Sequence, residues 1–387
     1  MAVLRPLPVG PGASALSVLP AIEDLLGGHP GDGHPALLPV PTDDPRQTEL
    51  LIGALRADDP IDDHIAVVVP TSGTTGTPKG AMLSAAALTA SAVATHQRLG
   101  GPGRWLLALP AHHIAGLQVL VRSALAGTTP VALPASFAAT ELVSAVAAMG
   151  PGRRYVSLVA AQLTKALDDP RAAAALADLD AVLIGGGPMP VGVGERAAEA
   201  GVPVVRTYGM SETAGGCVYD GRALPGVTVR IDDGRVVLGG AMVADGYRNP
   251  ATPDPFAEPG WFRTDDLGAV DEAGVLSILG RVDDAISTGG LTVLPQLVEN
   301  ALASHPAVAE CAVFAVPDER LGQRVVAAIV PAPGAAAPAV AEVRAHVEKT
   351  LDGTAAPREI HIVDALPRRG IGKLDRKALS QRFGGDG

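Results

Sequence analysis

The sequence predicts an α/β protein with a large N-terminal domain of doubly wound sheets, a small β-rich part within that domain, and a smaller, mobile α+β domain at the C-terminal end. Three patterns indicate this fold class. Between residues 64 and about 250, short apolar runs alternate with helical stretches, which is typical of parallel sheets covered by helices. From 227 to 279 the pattern changes to short strands separated by Gly or Asp turns. After Arg281 a shorter α+β unit follows.

Apolar and helical patterns place the individual elements along the chain. Residues 1 to about 60 are interrupted by Pro and Gly and show helical patterns near 21–26 and 47–55. In the large domain we expect strands at 65–69, 105–109, 129–133 and 202–206, a hairpin at 229–238, and helices at 81–97, 141–149 and 190–199. In the small domain we expect helices at 295–303 and 340–351 and strands at 308–316 and 324–330. The predicted domains are therefore 1–280 and 281–387.

Composition and charge exclude several classes of partner. The chain has 387 residues and a formal net charge of −11, so we expect two domains and neither nucleic acid nor an anionic membrane surface as the main partner. Cys217 and Cys311 are the only cysteines in the sequence, which supports neither a disulfide framework nor a metal cluster. No apolar run approaches the length of a membrane span. We predict a soluble, cytoplasmic protein that acts on small molecules, as a monomer or a homo-oligomer.

One segment of the large domain has the composition of a phosphate-binding loop. After the predicted strand at 65–69 comes a run of glycines and hydroxyl residues with one lysine, formed by Thr71, Ser72, Gly73, Thr74, Thr75, Gly76 and Lys79. Glycines let the backbone approach an anion closely, hydroxyl and N–H groups donate hydrogen bonds, and a lysine adds positive charge. The spacing differs from a Walker A loop, because Thr77 and Pro78 separate Gly76 from Lys79. A flexible surface loop is the alternative interpretation.

Further motifs follow this loop in order along the chain. They are Gly185-Gly186-Gly187 after an apolar run, Tyr208-Gly209-Met210-Ser211-Glu212-Thr213, the segment 260–268 with Asp266, the segment 280–284, and Gly372-Lys373. Together with the loop, they resemble the motifs of the adenylate-forming superfamily, which contains acyl-CoA synthetases, peptide-synthetase adenylation domains and luciferases. The resemblance covers nearly all of the chain after residue 64. Asp265 stands where the superfamily has Gly, whereas Asp266 retains the acidic residue.

The resemblance implies that the protein binds ATP and Mg²⁺ and joins a carboxylic acid to the α-phosphate of ATP. Two anions must meet in this reaction, so charge on the phosphate oxygens has to be neutralised. In this interpretation Lys79 and the loop hydroxyls hold the β- and γ-phosphates, Glu212 holds Mg²⁺, and the catalytic Lys373 lies between the carboxylate and the α-phosphate. The nucleotide is also bound by Gly185, Gly186 and Gly187 against the adenine, by Asp266 at the ribose, and by Tyr208, Gly209, Met210, Ser211, Thr213 and Arg281. For Glu212 or Asp266 alone, a solvated surface carboxylate is the alternative.

The segment 280–284 implies a second step. Members of the superfamily that transfer the acyl group to a thiol rotate the C-terminal domain between the two steps, and Asp283 matches the residue at which the rotation occurs. Gly289 and Gly290 are then expected to face the nucleotide domain and line a tunnel for coenzyme A. The superfamily continues this stretch with Glu-Asn, whereas the chain has Leu291 and Thr292.

Two stretches indicate which acid is used. Residues 109–122 and 156–163 look like the o-succinylbenzoate–CoA ligases of menaquinone biosynthesis. The resemblance implies a catalytic His113 and a Ser157 near the acyl pocket, and an Arg122 that binds the ring carboxylate of an aryl carboxylic acid. A packing histidine and a surface arginine are the alternatives. The region before Thr71 is shorter than in typical superfamily members, so its contribution to the pocket cannot be carried over.

Three functions are consistent with these residues. The first is an ATP-dependent aryl-acid–CoA ligase that acts on 2-succinylbenzoate. The second is a CoA ligase for another aryl or medium-chain acid, or an adenylating enzyme that forms an amide. The third is a catalytically silent nucleotide-binding homologue, against which the presence of Lys79, Glu212, Asp266 and Lys373 argues.

Overall fold

The computed structural model describes residues 1–28, 34–71, 77–369 and 373–384, without the side chains of Val191, Arg369 and Lys373. Its sheets and helices confirm the α/β class and the doubly wound architecture. In the described ranges, none of the helices combines the length and the apolar character needed to cross a membrane.

The N-terminal segment forms a sheet of its own. The strands are β1 (Ala2–Val9), β2 (Ala36–Pro41), β3 (Pro60–Ile61), β4 (Ile65–Val69) and β5 (Ala81–Ser84). They lie in the order β3-β1-β2-β4-β5, with β1, β2 and β4 parallel and both edge strands antiparallel. The helices of this region are α1 (Leu19–Gly27), α2 (Pro45–Ala54) and α3 (Ala85–Arg98), with a 3-10 helix at Gly12–Val18. The helices expected near 21–26 and 47–55 are confirmed.

Prolines obscured the first strand of this sheet in the sequence. Pro6 and Pro8 lie in β1, which pairs with β2 along Leu4 to Val9 on one side. On the other side, β3 pairs only with Ala2 and Val3. The N–H of Leu4 points to that second side, where it donates to Asp59. Backbone N–H groups point to alternate sides along a strand, so the nitrogens of Pro6 and Pro8 face the same side as that of Leu4. In the described part of the chain no strand pairs with β1 there, and the hydrogen bonds between β1 and β2 are therefore complete.

The helix predicted at 81–97 begins four residues later than expected. Residues Ala81–Ser84 form β5, which pairs antiparallel with β4 and alternates buried and half-buried side chains. Ser84 then caps α3, because its hydroxyl accepts a hydrogen bond from the Ala87 N–H at 3.1 Å. The alanines at 85–87 therefore start the helix, and the preceding residues are drawn into the sheet.

A seven-stranded sheet follows, with helices on both faces. Its strands are β6 (Arg104–Leu107), β7 (Val131–Ala132), β8 (Arg154–Val159), β9 (Ala181–Gly185), β10 (Val204–Met210), β11 (Gly215–Tyr219) and β12 (Arg222–Ala223). They lie in the order β12-β11-β10-β9-β8-β6-β7, and the five strands from β10 to β7 are parallel. The accompanying helices are α4 (Ile114–Leu125), α5 (Ala139–Ala148), α6 (Ala160–Leu167), α7 (Pro170–Ala177) and α8 (Val191–Glu199).

Alternating side chains of this sheet enter two different cores. Trp105, Tyr155 and Leu183 pack with residues of α3 and α4, whereas Leu106 and Val182 pack with residues of α5 to α8. The period of two is that of a strand buried on both faces. The arrangement fixes the carboxyl ends of the parallel strands at one edge, where ligands bind in doubly wound sheets.

An antiparallel sheet completes the large domain. It consists of β13 (Val227–Asp232), β14 (Arg235–Gly240), β15 (Trp261–Val270) and β16 (Leu276–Arg281). The hairpin predicted at 229–238 is confirmed, and its turn residues Asp233 and Gly234 have φ angles of 49° and 76°. Two consecutive positive φ angles are typical of the tight turn that matches strand twist.

The residues after 281 have two cores of their own. Their strands are β17 (Ile286–Thr288), β18 (Leu291–Val293), β19 (Val308–Asp318), β20 (Gly322–Pro331) and β21 (Glu359–Ile362), and their helices are α9 (Pro295–Leu302), α10 (Val340–Val347) and α11 (Arg376–Phe383). A two-stranded hairpin of β22 (Arg368–Arg369) and β23 (Lys373–Leu374) precedes α11. The boundaries 1–280 and 281–387 remain predictions.

Candidate active site

Two predicted residues meet at the end of β10. The Tyr208 hydroxyl donates a 2.7 Å hydrogen bond to Asp266 Oδ2, although the two residues are 58 positions apart. Burial, reinforced by the charge of Asp266, raises the pKa of Tyr208 well above its usual value. The phenol therefore stays a donor, and Asp266, which is 7% exposed, keeps one face toward it.

Arg281 connects this pair to the predicted hinge. Its guanidinium donates to Asp266 Oδ1 at 3.2 Å and forms two parallel hydrogen bonds to Asp283, at 2.8 and 2.9 Å. Burial alone would lower the pKa of Arg281, but the carboxylates of Asp283, Asp266 and Asp265 outweigh burial and raise it. A fork-like pair of this kind fixes direction as well as charge. The structure thus brings together the predicted ribose residue, the predicted hinge and Arg281.

A second cluster joins the predicted metal ligand to the predicted phosphate lysine. Glu212 is buried, with 8% of its surface exposed, and Tyr247 donates a 2.7 Å hydrogen bond to its Oε1. Lys79 Nζ lies 5.1 Å from the centroid of the Tyr247 ring, within the range of a cation–π contact. Burial and the negative charge of Glu212 raise the pKa of Tyr247 above its usual range. One tyrosine therefore contacts both groups, the carboxylate through its hydroxyl and the ammonium through its ring.

The segment 247–249 was missed by the sequence reasoning. Beside the contacts of Tyr247, the Arg248 N–H donates to Gly80 O at 2.8 Å, the Asn249 N–H donates to Lys79 O at 2.9 Å, and Asn249 Nδ2 donates to Pro78 O at 2.9 Å. Three consecutive residues thus hold the end of the predicted phosphate loop. Tyrosine is rare in this chain, which has only four. The sequence Tyr-Arg-Asn after a glycine was therefore the feature that could have drawn attention to this segment.

The same segment ties the loop to the N-terminal sheet. Arg248 donates to the carbonyls of Leu55, Pro60 and Arg56 at 3.2, 2.9 and 3.3 Å, and Asn249 Nδ2 also donates to Ala54 O at 2.8 Å. These carbonyls lie at and after the end of α2, where helix carbonyls lack partners. The N-terminal residues therefore support the loop that carries Lys79.

Part of the phosphate loop lies outside the described residues, namely Ser72, Gly73, Thr74, Thr75 and Gly76. Thr71, at its start, has a buried hydroxyl oxygen without a hydrogen-bond partner among the described residues. Such orphaned polar atoms call for a partner, and a phosphate oxygen is one that this loop composition suits. The observation fits a triphosphate held by Thr71 and Lys79.

The predicted glycines allow close approach at the carboxyl edge. A Cβ on Gly209 would lie 2.1 Å from Gly215 O, and one on Gly185 would lie 2.5 Å from Thr207 Oγ1, so neither position accepts a side chain. Gly186 has a φ of 80°, and Gly186 and Gly187 are exposed at the end of β9. The backbone of Gly186 and Gly187 is thus accessible at the carboxyl end of β9, next to β10.

The motif turn after β10 is held by its own threonine. Thr213 Oγ1 accepts from the Met210 N–H at 3.0 Å and donates to Gly215 O at 2.8 Å, which closes the short 3-10 turn Ser211–Thr213. The turn points Glu212 toward Tyr247. Met210 and Thr213 thus shape the turn, and the nucleotide-binding roles of Met210, Ser211 and Thr213 remain predictions.

His113 begins helix α4 at the carboxyl edge of β6. Its N–H donates to Pro110 O at 3.1 Å, and its ring lies 4.2 Å from that of His112. A Cβ on Gly116 would lie 2.4 Å from Pro110 O, so the first turn packs closely on the preceding loop. Ser157 is buried in the neighbouring β8, beside Leu183 of β9. The acyl-side roles of His113 and Ser157 remain predictions.

Arg122 is buried, which contradicts the alternative of a surface arginine. It is 3% exposed, its Cζ is 4.9 Å from the Trp105 ring centroid, and its Nε has no hydrogen-bond partner among the described residues. Nine residues along α4 place it roughly 13 Å from His113 at about 1.5 Å per residue. This separation is the one expected for two residues along one wall of a helix, and the ring-carboxylate role of Arg122 remains a prediction.

His96 is a second buried residue next to Trp105, and we expect it to make the stability of the fold sensitive to acid. Trp105 Nε1 donates to His96 Nε2 at 3.4 Å, and burial, aided by the Arg122 charge, lowers the pKa of His96 from 6.5 to about 4. A histidine with a lowered native pKa stabilises the fold above its unfolded pKa, and the stabilisation is lost as pH falls from about 6.5 to 4. We expect the free energy of unfolding to fall by about 2 kcal/mol between pH 7 and pH 5 from this group.

Urea denaturation of His96→Gln at the two pH values measures this contribution. Glutamine can still accept from Trp105 but does not titrate, so its loss of stability on acidification should be about 2 kcal/mol smaller than in the native chain. The exposed His34→Asn serves as the control and should follow the native chain. Equal acid sensitivity in His96→Gln and the native chain would contradict the lowered pKa.

Gly289 and Gly290 form a tight turn between β17 and β18. Their φ angles are 59° and 82°, and the Gly289 N–H donates to Leu321 O at 2.9 Å. The turn is thus held on its own domain, with both glycines exposed. Lys373 lies in β23, and its side chain lies outside the described part of the chain. The roles of Gly289, Gly290 and Lys373 remain predictions.

Comparisons with known proteins identify the family of the chain. The model described as AMP-binding enzyme matches residues 30–248, and that described as AMP-binding enzyme C-terminal domain matches residues 297–373. A protein of Mycobacterium tuberculosis named "Probable 2-succinylbenzoate–CoA ligase" is 62% identical over 388 residues, covering 99% of both chains.

Two solved structures have the same fold. The o-succinylbenzoate CoA synthetase of Bacillus subtilis, in complex with its acyl-adenylate intermediate, aligns with a TM-score of 0.75 at 26% identity over 97% of this chain and 88% of that one. An amide bond synthetase of Marinactinospora thermotolerans aligns with a TM-score of 0.81 at 26% identity over 99% of this chain and 90% of that one. The resemblance to the adenylate-forming superfamily is confirmed, and the chain belongs to the AMP-binding enzyme family.

Proposed function

We propose that the chain is an AMP-forming acid–CoA ligase that converts 2-succinylbenzoate, ATP and CoA to 2-succinylbenzoyl-CoA, AMP and diphosphate. The choice of substrate rests on the 62% identity, over 99% of both chains, to the ligase of Mycobacterium tuberculosis. The Bacillus subtilis enzyme, whose structure holds an acyl-adenylate, supports a reaction in two steps.

The two clusters supply what the first step requires. Asp266, held between Tyr208 and Arg281, offers a carboxylate to the ribose hydroxyls. Lys79 and Thr71 neutralise and orient the departing phosphates, and Lys373 stabilises the charge that develops where the acid attacks the α-phosphorus. Because both reactants are anions, positioning and positive charge lower the barrier more than covalent chemistry does.

Glu212 is the residue that fits a magnesium ion. Its carboxylate is buried beside the phosphate lysine, and Tyr247 fixes one of its oxygens. Carboxylate and phosphate oxygens are the ligands that Mg²⁺ prefers. When bound, the ion would neutralise phosphate charge, and the chain's own contribution is the orientation of Glu212 by Tyr247.

In the second step the thiol of CoA attacks the acyl carbon and AMP leaves. His113, which begins α4 at the carboxyl edge of the sheet, lies on the acyl side of this reaction. Rotation at Asp283 would move Lys373 away from the nucleotide site and bring the exposed turn at Gly289 and Gly290 to face it. The contacts of Arg281 with both Asp266 and Asp283 support a hinge that lies next to the nucleotide residues.

An amide-forming enzyme is the second candidate. The Marinactinospora thermotolerans amide bond synthetase has the higher TM-score of the two solved structures, 0.81 against 0.75. Both reactions begin with the same adenylate, so only the acceptor separates them. CoA-dependent AMP formation without an added amine supports the ligase, whereas AMP formation that needs an amine supports the second candidate.

Pyrophosphate release with a panel of acids, with and without CoA, tests the substrate. We expect 2-succinylbenzoate to be used best, and benzoylpropionate, which lacks the ring carboxylate, to be poor by roughly a hundredfold, because a pocket built for a carboxylate leaves polar groups unpaired without it. Medium-chain acids serve as controls. A native enzyme that prefers benzoylpropionate would contradict the dicarboxylate pocket.

A further inference from the structure

A partly buried ionic cluster in the C-terminal domain has no role in the reaction described above. Arg376 donates to both oxygens of Glu299 at 2.8 Å, to Asp284 Oδ2 at 3.0 Å, and through Nε to the carbonyl of Val313 at 3.1 Å. Glu299 is 7% exposed, and its Oε1 also accepts the Val313 N–H at 2.8 Å. We name these residues, Arg376, Glu299, Asp284 and Val313, the Arg376 cluster.

The cluster lies between two segments that the reaction uses. Arg376 is the first residue of α11 and comes three positions after Lys373. Asp284 directly follows the predicted hinge residue Asp283. The start of α11 is further fixed because Asp375 caps it, accepting from the Ala378 N–H at 2.9 Å. One guanidinium therefore joins the end of the Lys373 hairpin to the first residue beyond the hinge.

Neighbouring carboxylates at the hinge point to different parts of the molecule. Asp283 is bound by Arg281, which also contacts Asp266 on the nucleotide side. Asp284 is bound by Arg376, in the body that carries Lys373. A rotation of the backbone between these two residues would separate the two sets of contacts without breaking either arginine's other bonds. In such a rotation the boundary between the moving bodies would fall between Asp283 and Asp284.

We propose that Arg376 is a positioning residue for Lys373, which ties the lysine hairpin to Asp284 and α9 so that rotation at Asp283 carries Lys373 as one rigid body. The inference rests on the proposed function and deepens it. A short two-stranded hairpin is barely stable by itself, so its position must come from neighbouring contacts. A misplacement of about 1 Å of a catalytic group lowers the rate by roughly a hundredfold.

The competing interpretation is that the cluster only stabilises the domain. Arg344 provides a matched comparison, because its guanidinium also donates to backbone carbonyls of the domain, at Ala356, Pro357 and Gly353, and to Glu348. Arg344 lies on α10, and these four contacts involve neither the hinge nor the Lys373 hairpin. A general loss of stability should affect Arg344→Met and Arg376→Met alike, and should reduce both half-reactions.

The experiment measures each half-reaction separately. Pyrophosphate release from ATP and 2-succinylbenzoate reports adenylation, and thioester formation from preformed acyl-adenylate and CoA reports the second step. For Arg376→Met we expect adenylation to fall by roughly a hundredfold and thioester formation to stay within about threefold, because the second step does not use Lys373. Arg344→Met should keep the native ratio of the two rates.

Two further variants keep the test informative if Arg376→Met folds poorly. Asp284→Ala removes only the link to the hinge and leaves the pair of Arg376 with Glu299; we expect roughly a tenfold loss, confined to adenylation. The double variant Lys373→Ala/Arg376→Met should adenylate no more slowly than Lys373→Ala alone, since Arg376 acts through the lysine.

The outcomes separate this proposal from the proposed function. A native chain that releases no pyrophosphate with 2-succinylbenzoate would contradict the substrate, and the half-reactions would then be run with the acid that the panel identifies. Equal losses in both half-reactions of Arg376→Met, full adenylation in Asp284→Ala, or multiplicative losses in the double variant would each overturn the positioning role.

Discussion

Lys373→Ala should abolish the formation of the acyl-adenylate while sparing the thioester step. The proposed ammonium of Lys373 neutralises charge between two reacting anions, and removing one such donor from a preorganised site costs on the order of a thousandfold in rate. By the second step, rotation at Asp283 has moved the lysine away. Thioester formation from preformed acyl-adenylate should therefore stay within about threefold of the native rate.

Single-turnover assays of the two half-reactions measure this difference. Lys377→Ala is the matched control, because Lys377 is an exposed lysine on α11, four residues further along, and it should leave both rates unchanged. Equal losses in both half-reactions of Lys373→Ala would show that the lysine acts on the structure of the domain. An unchanged rate of adenylation would refute its catalytic role.

The sequence predicted the parts of the site that are carried by short motifs. Tyr208, Asp266, Arg281 and Asp283 come from three motifs, and the structure places them within hydrogen-bonding distance of one another. The motif residues could be recognised because nucleotide binding restricts both their type and their order. The fold class could be predicted from the spacing of apolar residues. Strands buried on both faces appear as short apolar runs, whereas Ala-rich helices are longer and repeat with a helical period.

Contacts between distant segments could not be predicted in the same way. The segment 247–249 reaches Pro78 and the carbonyls after α2, which are about 170 to 195 positions away, and no local pattern encodes such a pairing. The packing partner of Arg122 could not be predicted either, because an arginine in an Ala-rich helix is usually at the surface. Its position over Trp105 depends on the packing of α4 against β6, which a spacing from His113 cannot reveal.

The second large effect is expected at Glu212. Glu212→Gln keeps the shape of the side chain and an oxygen that can accept from Tyr247, but it removes the negative charge that would hold Mg²⁺. A bound metal ion supplies several kcal/mol of charge stabilisation, so adenylation at a fixed Mg²⁺ concentration should fall on the order of a thousandfold. Unlike Lys373→Ala, this variant should recover part of its rate when Mg²⁺ is raised, because the loss lies in affinity for the ion.

Tyr247→Phe separates the orientation of Glu212 from its charge. The phenyl ring keeps its contact with Lys79 but no longer donates to Glu212 Oε1. Loss of a hydrogen bond to a metal ligand typically costs ten- to a hundredfold in metal affinity, so we expect a smaller shift of the Mg²⁺ dependence in the same direction. Tyr219→Phe, which removes the hydroxyl contact to Thr95 in the core, is the control.

Titration of pyrophosphate release against Mg²⁺ ranks these variants. The expected order of half-maximal Mg²⁺ concentration is native and Tyr219→Phe lowest, Tyr247→Phe intermediate and Glu212→Gln highest. Glu212 provides the negative charge that binds Mg²⁺, whereas Tyr247 only orients the carboxylate. Glu212→Gln should therefore shift the half-maximal Mg²⁺ concentration more than Tyr247→Phe. If Glu212→Gln lowered the maximal rate without shifting the Mg²⁺ dependence, the carboxylate would act on the reacting groups directly, and the metal site would have to be formed by other residues.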